Sequence, residues 1–176
     1  MRHNKLYLIT DVDGFTPQIG RLVSMMNYVR HTTLEEVTNL TTDQLDYLLD
    51  EESNSIGALL SHIAAVEVSY QIITFEDRGM NEEESKRWGV SLKLGTRARR
   101  EIRGRSLDHY LKTLADVREK TLAELARRRD DWLYEETPFW EHRKANNYFK
   151  WFHVFEDELN HRGQIRLISK RLPEIV

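Results

Sequence analysis

Three prolines, at positions 17, 138 and 173, are all that the 176-residue chain contains. Proline lacks a backbone donor and breaks helices, so the long stretches between these three are free to be helical. Apolar residues recur there at helical spacing. A first helix is expected from about Pro17 to Val37, with Ile19, Leu22, Val23, Met26, Val29, Thr33 and Val37 on one face and Pro17 in its first turn. A second is expected from Asn54 to Asp77, with Leu59, Ile63, Val66, Tyr70 and Ile73 on one face. Asn54 or Ser55 caps it, and Gly57 in its first turn permits close helix packing. A third starts after the cap Ser106 and carries Leu107, Tyr110, Leu111, Leu114, Val117, Thr121 and Leu125 along one side, with charges opposite. A fourth runs through Trp151 to Ile165 and on to Leu172. The fold class is all-α: a four-helix bundle, in one domain spanning residues 1–176. The stretch from Arg78 to Arg105 is long enough for a crossover between the second and third helices.

On the fourth helix Val154, Ile165, Ile168 and Leu172 form the buried stripe, and Asp157 and His161 lie on it. They are four residues apart, so their side chains are neighbours. On the second helix His62 shares the apolar face of Leu59 and Val66. Burying a carboxylate and two imidazoles unpaired is costly. A divalent ion held by two His and one carboxylate would offset that cost and keep positions open for water or substrate. The competing reading is a satisfied core histidine beside an intrahelical Asp157–His161 pair. His142 and His153 are reserve ligands, and His31 and His109 fall off the stripes.

Ser61-His62-Ile63-Ala64-Ala65-Val66-Glu67 and Asn160-His161-Arg162-Gly163-Gln164-Ile165 resemble the two signature segments of the DinB-like (YfiT) superfamily, and Ile19 to Arg30 resembles its first helix. The resemblance implies a bacterial four-helix bundle with a crossover between helices 2 and 3, a core metal and a homodimer. Carried onto this chain, the metal ligands are His62, Asp157 and His161. Asp157 departs from the family pattern, where a third His is usual. The implied activity is that of a metal-dependent enzyme, a thiol-dependent S-transferase or hydrolase. The implied cofactors are Zn or Ni, with bacillithiol or mycothiol as cosubstrate, and the partners are a small-molecule electrophile and a thiol. Glu67 is a candidate general base. Glu158 and Gln164 flank the ligands, and Gln164 is placed to orient a bound water. The alternative is a non-catalytic, stress-associated metal-binding or interaction bundle.

Composition narrows the classes. Charged residues make up 31% and the net charge is -3, so an electrostatic nucleic-acid binder is not expected. There is no Cys, which removes disulfides, thiolate ligands and a cysteine nucleophile. No window reads as a membrane span and no signal peptide precedes the first helix, so the expected location is the cytoplasm.

Tyr7 to Thr16, with Asp11-x-Asp13-Gly14, resembles the first motif of haloacid-dehalogenase-type phosphatases, but no strand–helix alternation follows it. A calcium loop fails for want of the later acidic and glycine positions. The basic run of Lys86, Arg87, Lys93, Arg97, Arg99, Arg100, Arg103 and Arg105 is expected to be a solvated face balanced by Glu82 to Glu84, rather than an anion-attracting rim. Residues 130–146 read as an irregular aromatic loop, with Trp132, Tyr134, Phe139 and Trp140 covering part of the core.

Overall fold

The structure, a computed structural model, describes residues 5–140 and 143–173. Seven α-helices dominate these residues: α1 (Pro17–Glu36), α2 (Thr42–Asp46), α3 (Ile56–Phe75), α4 (Glu82–Lys93), α5 (Gly95–Glu101), α6 (Leu107–Ala126) and α7 (Asn147–Ser169). A 3-10 turn (Asp130–Tyr134) leads into a small antiparallel hairpin of β1 (Glu136–Pro138) and β2 (Lys144–Asn146).

Local chemistry sets the helix starts. The side chains of Ser55, Ser106 and Asn146 accept from the third amide of α3, α6 and α7. Thr41 with Gln44 and Asn81 with Glu84 form capping boxes on α2 and α4. α1 has no cap of its own. Asp130 supplies one from across the molecule, accepting from the Gln18 and Ile19 amides and the Thr16 hydroxyl. Burial works against its charge, but these donors hold its carboxyl below the usual carboxylate range.

Four long helices make the bundle. Arg30 meets Glu158 and Glu36 meets Arg166, so α1 and α7 run parallel. Gly57 meets Tyr110 and Gln71 meets Thr121, so α3 and α6 also run parallel. His62 meets His161 and Thr74 meets Trp151, so α3 and α7 are antiparallel. The crossover expected between the second and third long helices is therefore present. Gly57 is needed for its packing: a Cβ there would lie 2.6 Å from the Tyr110 hydroxyl oxygen.

The crossover folds as α4 and α5. α4 buries only Ser91, which is why its apolar stripe is faint. Of the crossover's basic residues, Lys86 pairs with Glu82, Arg97 pairs with Glu101 and Arg99 donates to the Glu52 carbonyl. Residues 130–146 are likewise more regular than expected. Trp132 stacks on Phe75 at 5.6 Å and Leu133 is buried.

One further expectation needs correction. Ile56–Phe75 is long and apolar enough, by length and composition, to cross a membrane. Most of that window is buried inside the bundle, as suits a central helix packed against α6, α7 and α4. The Asp-x-Asp-Gly segment is a turn lying on α1. Asp11 pairs with Arg21, Ser24 donates to the Leu8 carbonyl, and the backbone at Val12 comes so close to Gly20 that a Cβ there would lie 2.8 Å from its amide nitrogen. Two three-residue strands are the only sheet among the described residues, so no phosphatase scaffold stands behind that motif.

Candidate metal centre

Along the α3–α7 seam, residues face each other in rungs: His62 opposite His161, then Val66 and Asp157 one turn on, then Tyr70 opposite His153. The first two rungs hold the three residues singled out from the sequence. One ligating atom from each of His62, Asp157 and His161 lies within 4.8 Å of the others. Nε2 of His62 is 3.6 Å from Oδ2 of Asp157, and Nε2 of His161 is 3.5 Å from Oδ1.

The outer nitrogens set the tautomers. Nδ1 of His62 is 2.8 Å from the Ser91 carbonyl oxygen, which can only accept, so the ring proton sits on Nδ1. Nδ1 of His161 is 3.2 Å from Oε1 of Gln164. Each imidazole is thus tied outward through Nδ1 and turns Nε2 toward Asp157, the usual arrangement of a ligand histidine. Oδ2 of Asp157 is buried with no hydrogen-bond partner. Burial pushes the Asp157 carboxyl up, but His161 and His62 pull it well below the usual carboxylate range. The same contact, against the effect of burial, raises His161. Ligand atoms about 2.1 Å from one tetrahedral ion are about 3.4 Å apart, so these separations, the inward-facing Nε2 atoms and the orphaned oxygen fit a divalent ion.

The neighbours play other parts than expected. Gln164 orients His161 directly. His153 lies outside the triad: its Nδ1 meets Oε2 of Glu156 at 2.8 Å and its ring packs on Tyr70 and Trp140. His142 lies outside the described residues. Glu67 is not poised as a base. It is fully buried and bonded by Arg118, Arg30 and Thr121. Burial would raise its pKa, but Arg118 and Arg30 bring it down to about 2.

Glu67 belongs to a feature the sequence reading missed. Arg30, Glu67, Arg118 and Glu158 form a buried, neutral network contributed by all four long helices. It separates two apolar clusters, one around Leu59, Leu114 and Ile165 and one around Met26, Leu125 and Trp151. A signal was available: Arg30 and Arg118 sit at helical spacing on the apolar stripes of Met26–Thr33 and Leu114–Thr121.

The comparisons bear on what this bundle is. The chain resembles a crystal structure of a protein from Streptococcus pneumoniae, with a TM-score of 0.62 and 13% identity over 96% of this chain and 95% of that one, which speaks to the fold alone. No curated protein matches it. The mycothiol-S-transferase family model matches residues 21–172, which takes in α1 after its first turn, the other three long helices and the triad. The chain belongs to the mycothiol-S-transferase family, a DinB-like family.

Proposed function

We propose that the protein is a metal-dependent S-transferase that joins a low-molecular-weight thiol, mycothiol or a close analogue, to a small electrophile, with His62, Asp157 and His161 holding Zn²⁺ or Ni²⁺. The observation that carries this reading is the inward turn of both Nε2 atoms onto a carboxylate whose Oδ2 has no hydrogen-bond partner. When bound, the ion supplies Lewis acidity that favours the thiolate form of an incoming thiol at neutral pH. Three protein ligands leave room for that thiol, as open rather than structural sites do.

The chain's own residues do the rest. Ser91 and Gln164 hold the two rings in place. Tyr70, on the next rung, keeps its proton because burial and the nearby Asp157 and Glu156 charges push its pKa well above the ordinary value. Its hydroxyl is therefore a neutral donor for charge developing on the electrophile. With no Cys in the chain, the sulfur nucleophile comes from the cosubstrate. The reading also places the protein in the cytoplasm, as a homodimer working on small molecules rather than on nucleic acid or membranes.

Metal analysis of protein purified without chelator or a nickel column, followed by mycothiol-conjugation assays on metal-loaded and chelator-treated enzyme, tests it. The expected result is near-stoichiometric metal and conjugation that disappears with the metal and in His62→Ala. A metal-loaded protein that leaves every thiol and electrophile pair at the uncatalysed rate points instead to the non-catalytic bundle.

A further inference from the structure

α1 and α6 are the loosest neighbours around the bundle. Between them lies a groove of about 840 Å³, within the size range of small-molecule sites. Leu34, Val37, Leu111 and Leu122 give it apolar walls. Its floor is different. Arg30 and Arg118 line the groove, while Glu67 and Glu158 do not. The arginine side chains keep 9% and 8% of their surface, against 1% for each carboxylate. The buried network is layered, with its anions inside and its cations toward the groove.

The hydrogen-bond count leaves something over. A guanidinium has five N–H donors. Arg30 uses Nε on Glu158, Nη2 on Glu67 and Glu158, and Nη1 on the Leu114 carbonyl. Arg118 uses Nε on Glu67, Nη2 on Glu67 and Glu158, and Nη1 on the Met26 carbonyl. Each therefore keeps one Nη1 N–H with no acceptor among the described residues. One spare donor from each helix, at the floor of an apolar cleft, matches in number the two oxygens of a carboxylate. Asp108 and Glu119 border the groove and are exposed. They oppose an anion held at the mouth and leave the floor as its place.

We propose that the α1–α6 groove binds an amphiphilic carboxylate, its apolar body along the leucine walls and its head on Arg30 and Arg118. The site is separate from the His62–Asp157–His161 centre and does not depend on the S-transferase reading.

Calorimetric titration of the full chain with octanoate, octanol and octylammonium tests it. Octanoate is expected to saturate one site per chain and to bind at least ten-fold tighter than either control. Leu111→Trp, which fills the groove without touching the network, is expected to weaken octanoate at least ten-fold while circular dichroism and the melting temperature stay put. Equal binding of octanoate and octanol would overturn the proposal, because the floor charges would then read nothing. Octanoate affinity unchanged in Leu111→Trp would place the ligand elsewhere and overturn it too. So would a dimer that Leu111→Trp dissociates and that takes up no octanoate, since a second copy would then fill the groove.

Discussion

Arg30 and Arg118 each hydrogen-bond the helix that carries the other. Nη1 of Arg30 donates to the Leu114 carbonyl at 3.1 Å and Nη1 of Arg118 donates to the Met26 carbonyl at 3.2 Å. Each acceptor lies one turn before the opposing arginine. The carboxylates repeat the pattern: Glu158 takes Nε and Nη2 of Arg30, and Glu67 takes Nε and Nη2 of Arg118. The bonding has a local two-fold relation that exchanges α1 with α6 and α3 with α7. It fastens the one seam where apolar packing is thin.

The network is neutral only as a whole. Arg118→Met leaves Glu67 short of its main partner and is expected to cost about 3–5 kcal/mol, as for other broken buried pairs. Arg118→Met with Glu67→Leu leaves Arg30 and Glu158 matched and should cost clearly less. Urea unfolding of both variants measures this, and equal losses would mean the four charges act independently.

Acid should loosen the bundle through Glu67. Its folded pKa of about 2 lies below the ordinary value of 4.5. A depressed carboxyl stabilises above its unfolded pKa, and that contribution fades as pH falls through the folded value. The shift corresponds to on the order of 3 kcal/mol, lost between roughly pH 4.5 and pH 2. Urea midpoints taken across that window should fall in the wild type and stay flatter in Glu67→Gln.

Asp157 separates a ligand from a helix-pair residue. Asp157→Ala is expected to weaken Zn²⁺ or Ni²⁺ at least ten-fold, because it removes one donor of three. Asp157→His should keep or tighten binding, since imidazole suits these metals. Calorimetric titration decides, and equal affinity of the wild type and the Ala variant would remove Asp157 from the site.

Asp130→Ala takes away the only side chain that caps α1 among the described residues. The expected loss is about 1 kcal/mol, typical of an N-cap. Thermal unfolding above pH 5, where the carboxyl is charged, should show it. The same substitution should matter less near pH 2.

What could be read from the sequence followed from periodicity. The four long helices came within a few residues of their observed ends because each carries a continuous apolar stripe. His62, Asp157 and His161 were findable because imidazole and carboxylate on such a stripe are conspicuous. Arg30 and Arg118 break their stripes just as plainly, yet an arginine one residue past Val29 or Val117 reads as the edge of a solvated face. Only the meeting of four helices shows what pairs it. Ser91 had no signal at all: its role is a backbone carbonyl, available to any residue type. α4 escaped for a related reason, since a helix that buries one serine has no stripe to display.

The partnership of α1 has a consequence for how the chain is made. Synthesis proceeds from the N-terminus, so α1 leaves the ribosome before the other helices of the bundle. Its N-terminal amides wait for Asp130, and Arg30 waits for Glu158 on the last helix. α3 and α6 share a seam that closes without either. α1, made before the other bundle helices, is therefore among the last of them to be completed, and its closing contacts span more than a hundred residues, the kind of distant pairing that slows folding.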